Sequence, residues 1–255
     1  MSNCIDASLK ANPAITSGRI KKGAPFRELK NALPAFSIET YRHHPSFAWT
    51  YEKLDQKQRS ISAQIQQGDS GGVLLVSELA PVITLGRRTP ACDLLLSEDE
   101  RQISGVGVYP TDRGGLATYH GTGQWVLFPV DRLDRLTGDR RGVRKAVETL
   151  LEVALQVGRK YDPNAEILSG NQLGVWTSQG KFASVGVYIE NGILLHGLSV
   201  NGFQTPLSFK GIRPCGMEPQ VSYLLPELPV LDLEREFLIL RDRLIAETLT
   251  RFWKK

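Results

Sequence analysis

Of the three cysteines in this 255-residue sequence, Cys215 is the one whose neighbours could make it react. Pro214 and Gly216 flank it, so the backbone turns sharply there and presents the sulfur on a loop. Lys210 and Arg213 add positive charge, which favours thiolate over thiol. A free thiol with a pKa near 8.5 is only a few per cent ionised at neutral pH. A lysine ammonium about 4 Å away is worth about 4 kcal/mol at an effective dielectric of about 20, enough to lower that pKa by a couple of units. Taken alone, Cys215 fits an inert buried thiol as well as it fits a nucleophile. Lys181 follows the Gln179-Gly180 turn and opens the apolar run Phe182-Ala183-Ser184-Val185-Gly186; a lysine in that position ordinarily points to solvent.

A second cluster runs from Asp112 to Gln124. Gly114 and Gly115 allow close backbone approach to a ligand, and Arg113, Tyr119, His120 and Gln124 supply polar anchors. The lysine and Ser/Thr that close a phosphate loop are missing, and no G-x-G-x-x-G opens a helix. By itself the segment is equally a glycine-rich turn. His196, between Leu195 and Gly197, reads as a satisfied core histidine. The side chains of adjacent His43 and His44 diverge, and Cys4, Cys92 and Cys215 are far apart, so no metal site and no disulfide framework is expected. An odd, sparse cysteine set suggests a reducing compartment.

These groups need a scaffold. Phe47, Tyr51, Leu54, Ile61 and Ile65 fall at helical spacing, interrupted by Gln58, which predicts a helix over 46–67. Strands are expected at 73–76, 82–85, 106–109, 125–128, 175–177, 182–189 and 193–200. Asn191-Gly192 between the last two is a hairpin turn. Val143 to Val157 form a helical face closed near Gly158, and Leu233 to Phe252 a second, with Lys254 and Lys255 suited to its negative end. The expected class is α+β: a mixed, largely antiparallel sheet flanked by helices.

Composition narrows the rest. The chain is 41% hydrophobic and 23% charged, which excludes wholesale disorder. No apolar run reaches the length of a membrane span, and Met1 to Lys30 lacks the apolar core of a secretory signal. Residues 1–30 carry the whole net charge of +4, so the remainder is neutral and nucleic-acid binding is not expected. Residues 1–36 read as a basic arm and 37–255 as the folded domain. The arm could be a solvated tail, a docking segment for an acidic partner or an organelle-targeting segment. Cytoplasm is the expected location, an organelle matrix the alternative.

In combination the motifs resemble the octanoyltransferases of lipoate biosynthesis. The match runs through Val82–Arg87, Arg113-Gly114-Gly115, Thr118-Tyr119-His120-Gly121 and Gly123-Gln124. It continues through Gly180-Lys181, Ala183-Ser184-Val185-Gly186, His196-Gly197-Leu198 with Asn201, and Pro214-Cys215-Gly216. Thr122 departs from the family's usual proline, and the N-terminal arm is longer than is common.

The resemblance implies the biotin/lipoate protein ligase fold and acyl transfer in two halves. Cys215 would take octanoyl from octanoyl-acyl carrier protein as a thioester, with Lys181 as general base. The group would then pass to a lysine of a lipoyl-accepting domain, in 2-oxoacid dehydrogenase complexes or the glycine cleavage H protein. Arg113, Gly114, Gly115, Leu116, Ala117, Thr118, Tyr119 and His120 would line the acyl site, with Ser184-Val185-Gly186 and Gly197-Leu198-Ser199 as its other walls. No metal or other cofactor is implied. The competing readings are an ATP-dependent lipoate or biotin protein ligase, an octanoyl amidotransferase of the same fold, and a non-catalytic binder that has kept the pocket.

Overall fold

The computed structural model describes residues 36–68, 70–209, 211–212, 220–225 and 229–253. Cys215, all but the last residue of the basic arm, and Lys254–Lys255 therefore lie outside the described residues.

Three strands read as nearly unbroken apolar runs: β2 (Val73–Glu78), β6 (Gln124–Arg132) and β10 (Ile193–Asn201). Strands that are apolar on both faces belong in the middle of a covered sheet, and these three lie side by side in a seven-stranded sheet ordered β1-β2-β6-β10-β9-β8-β7. β1 (Ser37–Arg42) pairs parallel to β2. The other neighbours are antiparallel, including β9 (Gly180–Glu190), β8 (Gly174–Thr177) and β7 (Glu166–Leu168). The α+β sheet expected from the sequence is the one observed. Asn191 and Gly192 turn β9 into β10 with φ of 49° and 78°, a pair of left-handed residues that matches the twist of the strands.

Side-chain alternation splits the core in two. Leu74, Val76, Trp125, Leu127, Leu194 and Leu198 face α4 (Val143–Gly158) and α5 (Val230–Phe252). Val73, Leu75, Val126, Phe128 and Leu195 face α1 (Tyr51–Gln67). Helix α1 begins at Tyr51 rather than 46: His44 and Phe47 close a tight turn, and the Thr50 side chain caps the helix by accepting from Lys53 N. Gly158 is the last residue of α4 and not a left-handed cap. A Cβ there would stand 2.3 Å from Phe182 Cζ, so its missing side chain lets α4 approach β9.

A second sheet of three strands, β4-β3-β5, covers the α1 side of the large one. It comprises β3 (Val82–Leu85), β4 (Gly107–Pro110) and β5 (Thr118–His120), and keeps its own small core of Ile83, Val106, Ala117, Tyr119, Phe209 and Ile212. Ahead of β4 lies α2 (Glu98–Ser104), opened by a capping box between Ser97 and Glu100; α3 (Leu133–Thr137) follows β6. No described helix is long and apolar enough to cross a membrane.

Candidate active site

A cavity of about 540 Å³ lies between the β9–β10 face of the large sheet and the segment that leads into β5. Among the residues singled out from the sequence, Arg113 to Thr118, His120, Lys181, Ser184 to Gly186 and Gly197 to Ser199 all line it. Ser184 stands opposite Ser199 in the β9–β10 ladder, and Gly186 opposite Gly197. The paired glycines leave a wall of bare backbone. A Cβ on Gly186 would press on Arg113 Cδ at 3.1 Å, and one on Gly197 would meet Leu127 O at 2.3 Å.

Arg113 holds the covering segment in shape. The residue is 7% exposed, and its guanidinium donates to Thr84 O (2.7 Å), Thr84 Oγ1 (2.8 Å) and Leu116 O (2.8 Å). Gly114 N donates to Val187 O at 3.0 Å, which ties the segment to β9, and Arg87 N donates to Arg113 O at 3.1 Å. Tyr119 is the exception among the expected lining residues. Alternation along β5 turns it from His120's side into the small sheet's core, where it packs on Phe209 at 5.5 Å. Gly121 makes room for its hydroxyl: a Cβ there would lie 2.2 Å from Tyr119 Oη.

The tautomer of His120 follows from its partners. Asn201 Nδ2 donates to Ser222 O (3.1 Å), so Asn201 Oδ1 is an acceptor and receives Gln124 Nε2 (2.8 Å). Gln124 Oε1 must then accept, and the His120 Nδ1–H donates to it at 2.6 Å. Burial, with Arg113 and His196 nearby, lowers the His120 pKa to about 3. The ring is neutral, with Nε2 as an acceptor.

Lys181 stands where several constraints meet. Its Nζ donates to Leu173 O at 2.7 Å and lies 5.5 Å above the Trp176 ring. Gly174 leaves it space, since a Cβ there would fall 2.5 Å from Lys181 Cε. The Lys181 backbone pairs with the chain that follows Cys215: its N–H donates to Gln220 O (2.8 Å), and Ser222 N donates to Lys181 O (3.0 Å). Gly180 permits this, because a Cβ would lie 2.7 Å from Gln220 carbonyl carbon. Upstream of Cys215, buried Ile212 is bridged to Leu94.

Several lining residues carry no motif of their own: Tyr51, Phe128, Trp176, Val221 and Arg88. Gln58, which interrupts the apolar stripe of α1, is fully buried, and its Oε1 accepts from His196 N at 2.9 Å. That interruption was the available signal for a polar role. His196 is only half satisfied: Nδ1 has Tyr51 Oη at 3.0 Å, while Nε2 has no partner among the described residues. No described cluster of His, Cys, Asp and Glu could hold a metal ion.

The family model for the lipoyl protein ligase A/B catalytic domain matches residues 50–235. An octanoyltransferase of Alkaliphilus metalliredigens is 35% identical over 168 residues, which span 66% of this chain and 75% of that protein. One of Chloroflexus aurantiacus is 33% identical over 189 residues, spanning 71% and 83%. In fold, the chain resembles lipoate-protein ligase A bound with ATP (TM-score 0.60, 14% identity, 85% of each chain). It also resembles a bipartite lipoate protein ligase of Thermoplasma acidophilum (TM-score 0.56, 13% identity, 85% of this chain and 84% of the other).

Proposed function

The chain belongs to the lipoyl protein ligase A/B catalytic domain family and is an acyltransferase that moves octanoyl groups in protein lipoylation, and from that premise we propose that it works through a thioester on Cys215. Lys181, as a neutral amine, takes the proton from the Cys215 thiol. The thiolate attacks the carbonyl of octanoyl-acyl carrier protein; the new carbon–sulfur bond forms as the bond to the carrier's thiol breaks, and the Lys181 ammonium returns a proton to that thiol. In the second half a lysine amine of a lipoyl-accepting domain attacks the thioester. The amide bond forms, the bond to Cys215 breaks, and the amine's proton passes through Lys181 to the departing thiolate.

The observation that carries this reading is the pairing of Lys181 with Gln220. Cys215 is five residues from Gln220 in sequence, a stretch of at most about 17 Å, so its thiol is within the chain's reach of Lys181. A cavity of about 540 Å³ with an apolar and glycine wall suits a medium-length acyl chain. Residues 37–255 form the catalytic unit in this reading.

Intact-mass measurement after mixing with octanoyl-acyl carrier protein should reveal one octanoyl adduct. It should be discharged by a lipoyl-accepting domain and absent from Cys215→Ala. Octanoylated acceptor made by the Ala variant would exclude the cysteine as nucleophile, and ATP-dependent loading of free octanoate would assign the ligase reaction instead.

A further inference from the structure

His196 is strained and half-satisfied in the middle of a strand. Alternation along β10 would place it with Leu194 and Leu198, facing α4 and α5. Instead it takes φ of 60° and turns to α1. The register on either side sets it opposite Pro129 of β6, which has no N–H to give the ladder. Gln58 fixes what the ring can do: its Oε1 accepts from His196 N, so its Nε2 is the donor, to Asp55 Oδ1 at 2.6 Å and His196 Nδ1 at 3.2 Å. Tyr51 Oη also reaches Nδ1. With Nδ1 accepting and the ring neutral, the proton sits on Nε2, on the edge of the ring away from α1. That N–H is buried in a residue 1% exposed that lines the cavity, and it has no acceptor among the described residues. A left-handed non-glycine residue and an unmet donor are both costs that a purely structural residue would shed.

Its position says what it reads. His196 pairs with Val187, six residues along β9 from Lys181, or about 20 Å. An extended eight-carbon chain spans about 10 Å. A chain attached near Lys181 therefore ends beside Ser184 and Ser199, about half-way along, and a chain of about sixteen carbons is needed to reach His196.

Resting on the octanoyl-transfer reading, we propose that His196 determines acyl chain length: its Nε2–H holds a water molecule at the far end of the cavity. A longer saturated chain must displace that water and leaves the donor bare. Chain length is thus limited by the loss of a hydrogen bond and not by a steric wall alone, a penalty of about ten- to a hundredfold in kcat/KM.

The test compares kcat/KM for octanoyl and hexadecanoyl carrier-protein donors, the second long enough to reach His196. In His196→Leu the hexadecanoyl-to-octanoyl ratio should rise at least tenfold. His196→Asn keeps a donor and tolerates a left-handed φ, so its ratio should stay within about threefold of wild type. Nitrogen-15 spectra of histidine-labelled protein should show Nε2 as the protonated nitrogen of His196. An unchanged ratio in a Leu variant with a native circular dichroism spectrum, an Asn ratio that rises as far as the Leu ratio, or a proton on Nδ1 would each overturn the proposal. Failure of the wild-type enzyme to transfer octanoyl at all would instead overturn the reading on which it rests.

Discussion

At the scale of single residues, the cavity is held by neutral histidines whose roles come from their neighbours. The pKa of His120 is lowered to about 3 and that of His196 to about 4, chiefly by burial. Both lie below the ordinary value near 6.5, so the unfolded chain takes up protons that the folded chain refuses. Stability is therefore complete above pH 6.5 and falls as the pH drops toward 4, by up to about 1.4 kcal/mol per pH unit for each histidine. Urea titrations between pH 7 and pH 4.5 should display that slope, and it should flatten in His120→Gln. Lys181→Ala should slow acyl-adduct formation by about 100- to 10,000-fold, measured by quenched intact mass, with little change in melting temperature. Lys181 alone reads as a solvent-facing lysine and the Arg113–His120 stretch as a glycine-rich turn; only the ordered set of motifs, through the family resemblance, points to them as lining of one cavity. The inward turn of Tyr119 depended on the phase of a three-residue strand that glycines had hidden. The unmet Nε2 of His196 depended on Gln58, 138 positions away, which no local pattern reveals.

At the scale of elements, propensity and packing sometimes point in opposite directions. Alanine is the better helix former, yet Gly158→Ala would drive a methyl against Phe182 and should destabilise the protein by about 1–3 kcal/mol in chemical denaturation. Phe182→Leu in the same chain should recover part of that loss, which a double-mutant cycle would measure. Gly192→Ala is the contrasting case. Its φ of 78° disfavours a side chain, but nothing lies within 4 Å, so a cost of about 1 kcal/mol is expected. The hairpin it closes was readable from two residues, and the central strands from their apolar runs. β1 and β7 were not, since edge strands bury one side only and their sequences look like loops. The capping box of α2 was present as Ser97 and Glu100, but with no apolar stripe behind it; all seven helical residues lie at the surface.

At the scale of the whole molecule, one carboxylate joins parts that the chain keeps far apart. Glu78, 1% exposed, accepts from Arg42 Nε at 2.7 Å and from Gly123 N at 3.1 Å, while Arg42 also pairs with Glu234 of α5. Gly123 precedes Gln124, the partner of His120, so strand β1, helix α5 and the cavity share a single ionic anchor. Glu78→Ala should cost about 1–3 kcal/mol, chiefly from the Gly123 N–H left without its acceptor, since Arg42 keeps Glu234; the loss is read in the melting temperature. The fold class was legible because central strands, hairpin and amphipathic helices all agreed; this anchor was not, since ion pairs between distant positions leave no periodic trace. The large sheet is open, and its two borders deter recruitment by other chains. β7 is only three residues long, and β1 carries Glu39 and Arg42 in ion pairs with Lys57, Glu78 and Glu234. A short border and a charged one give a foreign backbone little to extend, so edge-to-edge aggregation is discouraged even though the sheet never closes on itself.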